Sequence, residues 1–392
     1  MKAPTLNPER KTATRAVAAP EPSAVRHAPL PDPFRLWKGG ELRQAQIAYE
    51  CWGELNAQRS NAILLFTGLS PSAHARSSAE NPEAGWWERM IGPGRALDTE
   101  RYFVMCVNSL GSCFGSTGPA SVNPATGRHY RLTYPLLSVE DIARAGYEAA
   151  RSLGIEQLDT VMGPSLGGMV VVAFAAVVPG GARRLVSISG SPGALPFAIA
   201  LRSLQREAIT SDPAWQGGNY ADPVHGPQSG MRIARKLGTI TYRSAEEWRV
   251  RFGRNGLSPT GRKAVAQALK RAPEGFGPLF DVESYLEAQA ERFVRIFDPN
   301  CYLYLSRALD CFDLTDHGDT TATMKRAGLQ SALVIGVESD LLFTIREQAD
   351  IAAMLDGAGV PTQFMRLPSI EGHDAFLVDY PRFDAAIRNF LL

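Results

Sequence analysis

The sequence is poor in the features that mark membrane proteins and nucleic-acid-binding proteins. No uncharged apolar run in its 392 residues approaches the length needed to span a bilayer, and the longest candidate, residues 169–179, fits a buried helix. The 41 Lys and Arg residues are matched by 40 Asp and Glu residues. Because this balance gives no general attraction to nucleic acids or anionic membranes, we expect neither as a partner.

Cysteine is also scarce, and its spacing excludes two kinds of structural site. The chain has five cysteines, an odd number, and none of them forms a C-x-x-C pair. A disulfide framework and a structural zinc site are therefore not expected, and we predict no bound metal.

The first residues lack the apolar segment of a secretory signal. They are instead rich in Pro, Ala and charged residues, a composition typical of disordered chain. We therefore predict a disordered N-terminal tail over residues 1–33 and a cytoplasmic location.

Apolar runs alternate with helical patterns along most of the chain, which favours an α/β fold. The segments predicted as strands are 46–50, 61–66, 102–107, 158–162, 185–189, 332–337 and 363–365, and the predicted helices include 138–153, 169–178 and 345–355. Residues 195–324 show little strand signal and several arginine-rich helical segments. We predict a mostly parallel sheet with helices on both faces, formed by residues 34–194 and 325–392, and a helical lid inserted at 195–324 over the ligand-binding edge.

Gly163, Ser165 and Gly167 form a G-x-S-x-G motif between a predicted strand and a predicted helix. In this context the serine occupies a sharp, strained turn, and glycines stand beside it because larger residues would clash. The adjacent helix N-terminus favours negative charge. We therefore predict that Ser165 is a catalytic nucleophile; the alternative is a Gly/Ser turn that matches the motif by chance.

A serine hydroxyl needs a base and a group that orients the base. His373 follows the last predicted strand, and Asp340 follows the strand predicted at 332–337. The chain order Ser165, Asp340, His373 is that of the α/β hydrolases. Taken singly, His373 could be an ordinary loop histidine and Asp340 a helix N-cap, but their joint placement predicts a catalytic triad.

The anionic intermediate formed by such a nucleophile needs two N–H donors. One predicted donor is the N–H of Leu166, which follows the nucleophile. The other is the N–H of Leu69, in the loop after the strand predicted at 61–66. The alternative for this loop is an ordinary Gly/Pro turn.

Beyond the triad, the chain after about residue 35 resembles the homoserine/serine O-acyltransferases of the α/β-hydrolase fold. The motifs that carry the resemblance are Gly68-Leu69-Ser70-Pro71-x-x-His74, the segment 108–119, Gly163-x-Ser165-x-Gly167-Gly168-Met169, Ala234-Arg235-Lys236, Thr241-Tyr242-Arg243-Ser244, Arg251-Phe252-Gly253-Arg254, Ser339-Asp340-x-Leu342-Phe343 and Gly372-His373-Asp374-Ala375-Phe376. Members of this family transfer an acyl group from an acyl-CoA to the hydroxyl of an amino acid.

The resemblance implies roles for three further residues. Arg235 falls where the family has an arginine for the acceptor carboxylate, Tyr242 where it has a pocket tyrosine, and Asp374 where it has an acid for the acceptor amine. One cation and one anion at a fixed separation suit a zwitterionic amino acid. Alternatively, Arg235 is a solvated lid arginine and Asp374 is a partner of His373.

Two features resemble the branch of the family that uses serine and a succinyl donor. Gly68, Leu69, Ser70 and Pro71 have the form found in members that prefer serine, and proline stiffens the acceptor pocket. One methylene discriminates by only about 10–200-fold, so activity on homoserine is also expected. Arg202 stands where acetyl-using relatives carry a neutral residue, and its guanidinium could bind the succinyl carboxylate. Arg202 could instead lie on the lid surface or contact a CoA phosphate.

The resemblance implies a ping-pong transfer through an acyl-Ser165 intermediate, with succinyl-CoA as the expected co-substrate, acetyl-CoA as the alternative, and no bound cofactor. It also implies a homodimer paired through the lid and a role in cysteine or methionine biosynthesis. Two rival functions share the fold, namely a carboxylesterase and a non-catalytic binding protein. An esterase would share the triad but would not need Arg235 and Asp374 together.

Overall fold

A sheet of eight strands forms the centre of the part of the chain that the computed structural model describes, residues 24–392 without the side chains at positions 267 and 271. The described residues form ten strands in all, of which eight belong to this sheet and two pair separately. They are β1 (Arg26–Pro29), β2 (Phe34–Arg35), β3 (Glu41–Leu42), β4 (Gln46–Trp52), β5 (Ala62–Phe66), β6 (Phe103–Val107), β7 (Leu158–Pro164), β8 (Ala182–Ile188), β9 (Ser331–Val337) and β10 (Thr362–Leu367). The sheet order is β1-β4-β6-β5-β7-β8-β9-β10, and β2 pairs separately with β3. Only β4 runs antiparallel to its neighbours β1 and β6. The predicted mostly parallel sheet is thus confirmed.

Helices flank the sheet and build the lid. They are α1 (Val139–Arg151), α2 (Leu166–Val177), α3 (Pro196–Thr210), α4 (Gln228–Thr241), α5 (Ala245–Phe252), α6 (Pro259–Ala264), α7 (Ala266–Arg271), α8 (Asp281–Val294), α9 (Pro299–Asp310), α10 (Thr320–Arg326), α11 (Ile345–Gly357), α12 (Ala375–Val378) and α13 (Tyr380–Leu391). α1 begins with a capping box, in which Ser138 and Asp141 accept each other's backbone N–H. No helix within residues 24–392 is both long and apolar enough to cross a membrane.

The packing of β5 explains why its sequence is apolar throughout. Leu64 and Phe66 join a core on one face of the sheet, with side chains from α1 and α2. Ile63 and Leu65 join a second core on the other face, with side chains from α13. Because the side chains of a strand alternate between faces, a strand covered on both faces must be apolar at every position. The predicted helices on both faces of the sheet are therefore confirmed.

The predicted disordered tail over residues 1–33 is wrong for its last part. Residues Arg26–Pro29 form β1, which pairs antiparallel with β4, and Ala28 is buried in the core. The sequence around β1 has little apolar pattern, because the pairing is made by backbone groups and only one side chain is buried. The remainder of the prediction, residues 1–23, lies outside the described residues.

The two chain segments that connect the lid to the core lie side by side and are hydrogen-bonded to each other. The N–H of Ala194 donates to the carbonyl oxygen of Phe312 at 3.0 Å, and the N–H of Leu314 donates to that of Pro192 at 2.8 Å. The chain therefore returns to the core near residue 312 rather than at the predicted boundary of 324. α10 packs against α2 and α11, with Met324 buried in the core. The predicted boundary is wrong because a helical pattern by itself does not reveal which body a helix packs against.

Three helices of the lid, α6, α7 and α9, were not predicted. The helical pattern over residues 282–297 corresponds to α8, which ends at Val294, and α9 begins after it at Pro299. Asp298 caps α9 by accepting the N–H of Cys301 at 2.9 Å, and proline suits the first turn because its missing N–H needs no partner there. α9 supplies part of the site described next.

Candidate active site

Ser165 lies in a tight turn between β7 and α2, at the carboxyl edge of the sheet. Its φ of 58° and ψ of −119° are strained for a residue with a side chain. The surroundings exclude larger neighbours: a Cβ on Gly163 would lie 2.7 Å from the backbone of Gly167, and a Cβ on Gly167 would lie 2.6 Å from the carbonyl oxygen of Phe66. The two glycines therefore allow the close strand–helix approach that presents Ser165.

His373 contacts Ser165 and Asp340 through its two ring nitrogens. Nε2 lies 2.7 Å from Oγ of Ser165, and Nδ1 lies 2.7 Å from Oδ2 of Asp340. His373 and Asp340 are buried, whereas Ser165 is partly exposed and lines a pocket. In this arrangement the imidazole can accept the serine proton, and the carboxylate can stabilise the imidazolium that forms.

Asp340 is held by more than its contact with His373. Its Oδ1 accepts the N–H groups of Leu342 at 2.9 Å and Phe343 at 3.0 Å. Asp340 is not a helix N-cap, because Thr344 is the N-cap of α11. The two N–H groups instead orient the carboxylate toward His373. Burial by itself lowers the pKa of His373, but the charge and hydrogen bond of Asp340 outweigh it, so the pKa lies above its ordinary value.

Two backbone N–H groups border the nucleophile. Leu166 is the first residue of α2, so its N–H has no acceptor inside the helix. Leu69 lines the same pocket as Ser165, and its N–H donates to no acceptor among the described residues. The loop passes close to the serine: a Cβ on Gly68 would lie 3.8 Å from Cβ of Ser165 and 3.8 Å from Cδ of Pro71. Both N–H groups are thus free to donate to a ligand beside Ser165.

The loop that contains Gly68 and Leu69 is anchored by His74. Nδ1 of His74 lies 2.9 Å from the carboxylate of buried Glu50, on β4, and Nε2 lies 2.9 Å from the carbonyl oxygen of Glu83. Both ring nitrogens can donate to these acceptors only when the imidazole is protonated. Burial opposes the charge, but the hydrogen bonds to Glu50 and Glu83 raise the pKa of His74 above its ordinary value. The contacts of His74 therefore tie the loop to the sheet.

A small pocket, about 30 Å³ in volume, opens beside Ser165. Its walls come from loops of the core and from the lid, and they comprise Leu69, Ser165, Leu201, Arg202, Gln205, Thr241, Tyr242, Tyr302, Leu309, Leu342 and Phe343. The lid therefore covers the nucleophile, as its insertion at the ligand-binding edge predicted. Within residues 24–392, no group of three or more His, Cys, Asp or Glu side chains is arranged to hold a metal ion.

Arg202 lies on α3 in the wall of this pocket and is only 5% exposed. Its Nε donates to Oδ1 of Asp310 at 2.5 Å, and Asp310 also pairs with Arg206 at 2.6 Å. Nη2 of Arg202 is buried and has no hydrogen-bond partner among the described residues. Arg202 is therefore not a lid-surface residue, and its free nitrogen can bind an anion in the pocket.

Tyr242 connects the two residues predicted to bind the acceptor. It lines the pocket, with its ring centroid 5.8 Å from that of His373. The guanidinium of Arg235 lies 5.9 Å from the centre of the Tyr242 ring, and its Nε is buried without a hydrogen-bond partner among the described residues. Asp374 donates its backbone N–H to the carbonyl oxygen of Tyr242 at 3.0 Å. Arg235 and Asp374 thus flank Tyr242 rather than forming the pocket wall themselves.

The structure adds functional candidates that sequence reasoning did not assign. Arg243 is nearly buried, and its Nε lies 3.5 Å from Oδ2 of Asp374. Its place directly after Tyr242, in the same motif, is a signal that could have identified it. Asp310, which holds Arg202, and Tyr302, which lines the pocket, lie on α9, and no local signal points to either.

Comparisons with known proteins agree with this geometry. The chain matches the family model of the alpha/beta hydrolase fold over residues 61–380. It is 55% identical to a serine O-succinyltransferase of Litchfieldella anticariensis, over 94% of this chain and 99% of the relative, and 55% identical to one of Stenotrophomonas maltophilia, over 94% and 98%. Among solved structures, a homoserine O-acetyltransferase from Bacillus anthracis has a TM-score of 0.83 at 27% identity, covering 94% of this chain and 97% of that one. Esterase E22 has a TM-score of 0.80 at 25% identity, and the alignment covers 94% of this chain and 99% of the esterase.

We expect Asp340→Asn to lower the pKa of His373. An amide carries no charge, so the lowering effect of burial is no longer outweighed. In the unmodified protein the ring should titrate above its ordinary pKa of about 6.5, and in the variant below it. The measurement is an NMR titration of the His373 ring, with His373→Gln identifying the resonance. Asp356→Asn, at the exposed end of α11, is the control. An equal midpoint in Asp340→Asn and the unmodified protein would contradict the assignment.

Proposed function

Since the chain belongs to the α/β-hydrolase fold family and, within it, to the family of the serine O-succinyltransferases, we propose that it transfers the succinyl group of succinyl-CoA to the hydroxyl of L-serine. The observation that carries the proposal is the contact of Ser165 with His373, which Asp340 in turn contacts, beside a pocket into whose wall Arg202 is built. The first arrangement activates a nucleophile, and the second offers a cation to the succinyl carboxylate.

The first half-reaction acylates Ser165. Nε2 of His373 removes the hydroxyl proton as Oγ attacks the thioester carbonyl. The tetrahedral oxyanion accepts hydrogen bonds from the N–H groups of Leu69 and Leu166. Collapse of this intermediate breaks the C–S bond, and CoA leaves as the thiol with the proton held by His373. A succinyl ester remains on Ser165.

The second half-reaction passes the acyl group to the acceptor. The hydroxyl of L-serine attacks the ester while His373 accepts its proton and then returns it to Ser165. Arg235 is suited to pair with the acceptor carboxylate and Asp374 with its ammonium group, since both lie next to Tyr242.

The loop of Gly68, Leu69, Ser70 and Pro71 lies close to the nucleophile and is suited to shape the acceptor site. Proline fixes φ and removes an N–H, so Pro71 makes this loop stiffer. L-homoserine should remain a substrate, since one additional methylene changes the rate by only about 10–200-fold.

Water must be excluded from the acyl-enzyme if transfer is to exceed hydrolysis. Side chains from α3, α4 and α9 wall the pocket, which supports transfer. Carboxylesterase activity is the second candidate, because the same three side chains hydrolyse esters in proteins of this fold. A donor other than succinyl-CoA, namely acetyl-CoA, is the alternative within the transferase function.

The reaction as proposed uses no metal and no bound cofactor, because Ser165 itself holds the acyl group between the two steps. We further propose that the enzyme acts in the cytoplasm. Acylation turns the serine hydroxyl into a better leaving group, which suits a step in cysteine or methionine biosynthesis.

Apolar side chains on the outer faces of the lid support a homodimer. α3 exposes Phe197 and Leu204, and α4, which packs against it, exposes Ile233 and Ile240, each by 44–55%. Within each helix the two residues are seven positions apart and share one face. Apolar patches of this kind mark interaction surfaces, and we propose that two copies pair through α3 and α4.

The proposed reaction is tested with two donors, succinyl-CoA and acetyl-CoA, against two acceptors, L-serine and L-homoserine. We expect the highest kcat/KM with succinyl-CoA and L-serine, and parallel double-reciprocal lines, as a ping-pong exchange requires. Ser165→Ala should abolish transfer, whereas Ser203→Ala, an exposed lid serine, should not. Hydrolysis that L-serine does not accelerate would identify an esterase instead, and intersecting lines would argue against the acyl-enzyme.

Arg202→Gln should shift donor preference toward acetyl-CoA. The ratio of kcat/KM for succinyl-CoA over acetyl-CoA should fall by about 10-fold or more, as expected for the loss of a hydrogen bond to a charged group. Arg206→Gln is the matched control, because Arg206 shares Asp310 with Arg202 but does not line the pocket in the described structure. An unchanged kcat/KM ratio in Arg202→Gln would contradict the assignment of succinyl-CoA as the donor recognised by Arg202.

The double variant Leu204→Glu/Ile240→Glu should be monomeric, because it places charge in the middle of the proposed interface. Sedimentation velocity measures the change, with the unmodified protein expected as a dimer. Val122→Glu, an equally exposed position in a loop of the core, serves as the control and should stay dimeric. A monomeric unmodified protein would rule out the interface.

A further inference from the structure

Arg243 is the centre of a cluster of carboxylates beside the candidate acceptor site. It lies between α4 and α5 of the lid, and its side chain is only 10% exposed. Its Nη1 lies 2.9 Å from Glu371 and 3.6 Å from Glu247, and its Nε lies 3.5 Å from Oδ2 of Asp374. One nearly buried cation is therefore shared among three acidic side chains, one of which is the proposed partner of the acceptor ammonium.

The carboxylate of Asp374 is held from one side. Its Oδ2 faces Arg243, and its backbone N–H is bound to the carbonyl oxygen of Tyr242 at 3.0 Å. The side chain is 22% exposed, so part of it remains accessible. A carboxylate fixed through one oxygen presents the other in a defined direction.

We propose that Arg243 is a positioning residue of the acceptor site: it holds Oδ2 of Asp374 so that Oδ1 is directed to the ammonium group of the acceptor amino acid. This inference rests on the proposed function, because it takes Asp374 as the partner of that ammonium. It adds a residue whose side chain touches neither the substrate nor the reacting atoms.

Charge gives Arg243 a second effect on the same carboxylate. Burial raises the pKa of Asp374, and Arg243 opposes this most strongly, with His373 and Arg235 adding to it. Without Arg243, burial and the negative charge of Asp340 would raise the pKa of Asp374 further. A carboxyl group that takes up a proton cannot pair with an ammonium group.

The backbone around Arg243 makes contacts of its own, so the role of the Arg243 side chain can be tested separately. A Cβ on Gly372 would lie 2.8 Å from the backbone carbon of Arg243, and the hydroxyl of Ser244 donates to the carbonyl oxygen of Ile370. The loop that carries His373 is therefore packed against the backbone of the lid. Replacing the Arg243 side chain leaves these backbone contacts in place, so Ser165 acylation should continue.

The test compares Arg243→Met and Arg243→Lys in separate half-reactions. Acylation is followed as the burst of CoA released from succinyl-CoA without acceptor. Transfer is followed with L-serine and with 3-hydroxypropionate, which has the hydroxyl and the carboxylate of serine but no amine. For Arg243→Met we expect a normal burst, a loss of about 10–100-fold in kcat/KM for L-serine, mostly in KM, and little change for 3-hydroxypropionate. Arg243→Lys should recover part of the loss. Arg251→Met is the control, because Arg251 pairs with Glu247 but has no contact with Asp374 among the described residues.

Equal losses for the two acceptors, or a burst reduced in parallel with transfer, would show that Arg243 only supports the fold and would overturn the inference. A loss in Arg251→Met as large as that in Arg243→Met would overturn it as well, because the effect would then come from Glu247. If the unmodified protein gave no burst, the proposed function itself would fail, and the premise of the inference with it.

Discussion

The 2.7 Å contact between Oγ of Ser165 and Nε2 of His373 depends on three distant segments reaching one edge of the sheet. Ser165 follows β7, Asp340 follows β9 and His373 follows β10, and these strands are parallel members of one sheet. The carboxyl ends of parallel strands meet at the same edge, so side chains just beyond them converge. The strained turn at Ser165 is tolerated because β7 and α2 are packed on both sides by buried neighbours.

Burial imposes the second constraint, because charges that leave water need partners. The lid brings Arg202, Arg235 and Arg243 close to the nucleophile, while the whole chain has a formal net charge of only +1. Arg202 is paired with Asp310, and Arg243 with three carboxylates. Two arginine nitrogens near the site are left unpaired: Nη2 of Arg202 and Nε of Arg235 are buried without a hydrogen-bond partner among the described residues. Such atoms are costly in the free protein, and an anionic group of a bound ligand can satisfy them.

Much of this site could be predicted from short segments of the sequence. The strand over residues 62–66 is a continuous apolar run because both of its faces are covered, and the elbow at Ser165 has a motif because few residues fit a turn so tight. The order of Ser165, Asp340 and His373 and their positions after predicted strands were sufficient to group them. The first two signals are contained in a few neighbouring residues, and the third in the position of each residue relative to a nearby strand.

Other features were set only by contacts between distant segments. β1 forms because its backbone pairs with β4, and the lid ends where Pro192 and Ala194 meet Phe312 and Leu314. Asp310 and Arg243 acquire their importance from Arg202 and Asp374, which lie on other elements. The sequence by itself determined the fold class, the elbow and the identity of the three residues at the nucleophile, because periodicity and turn chemistry are local. Only the tertiary structure decided which charged side chains are buried, which of them are paired and which are left to a ligand, because burial and pairing depend on what the rest of the chain brings alongside.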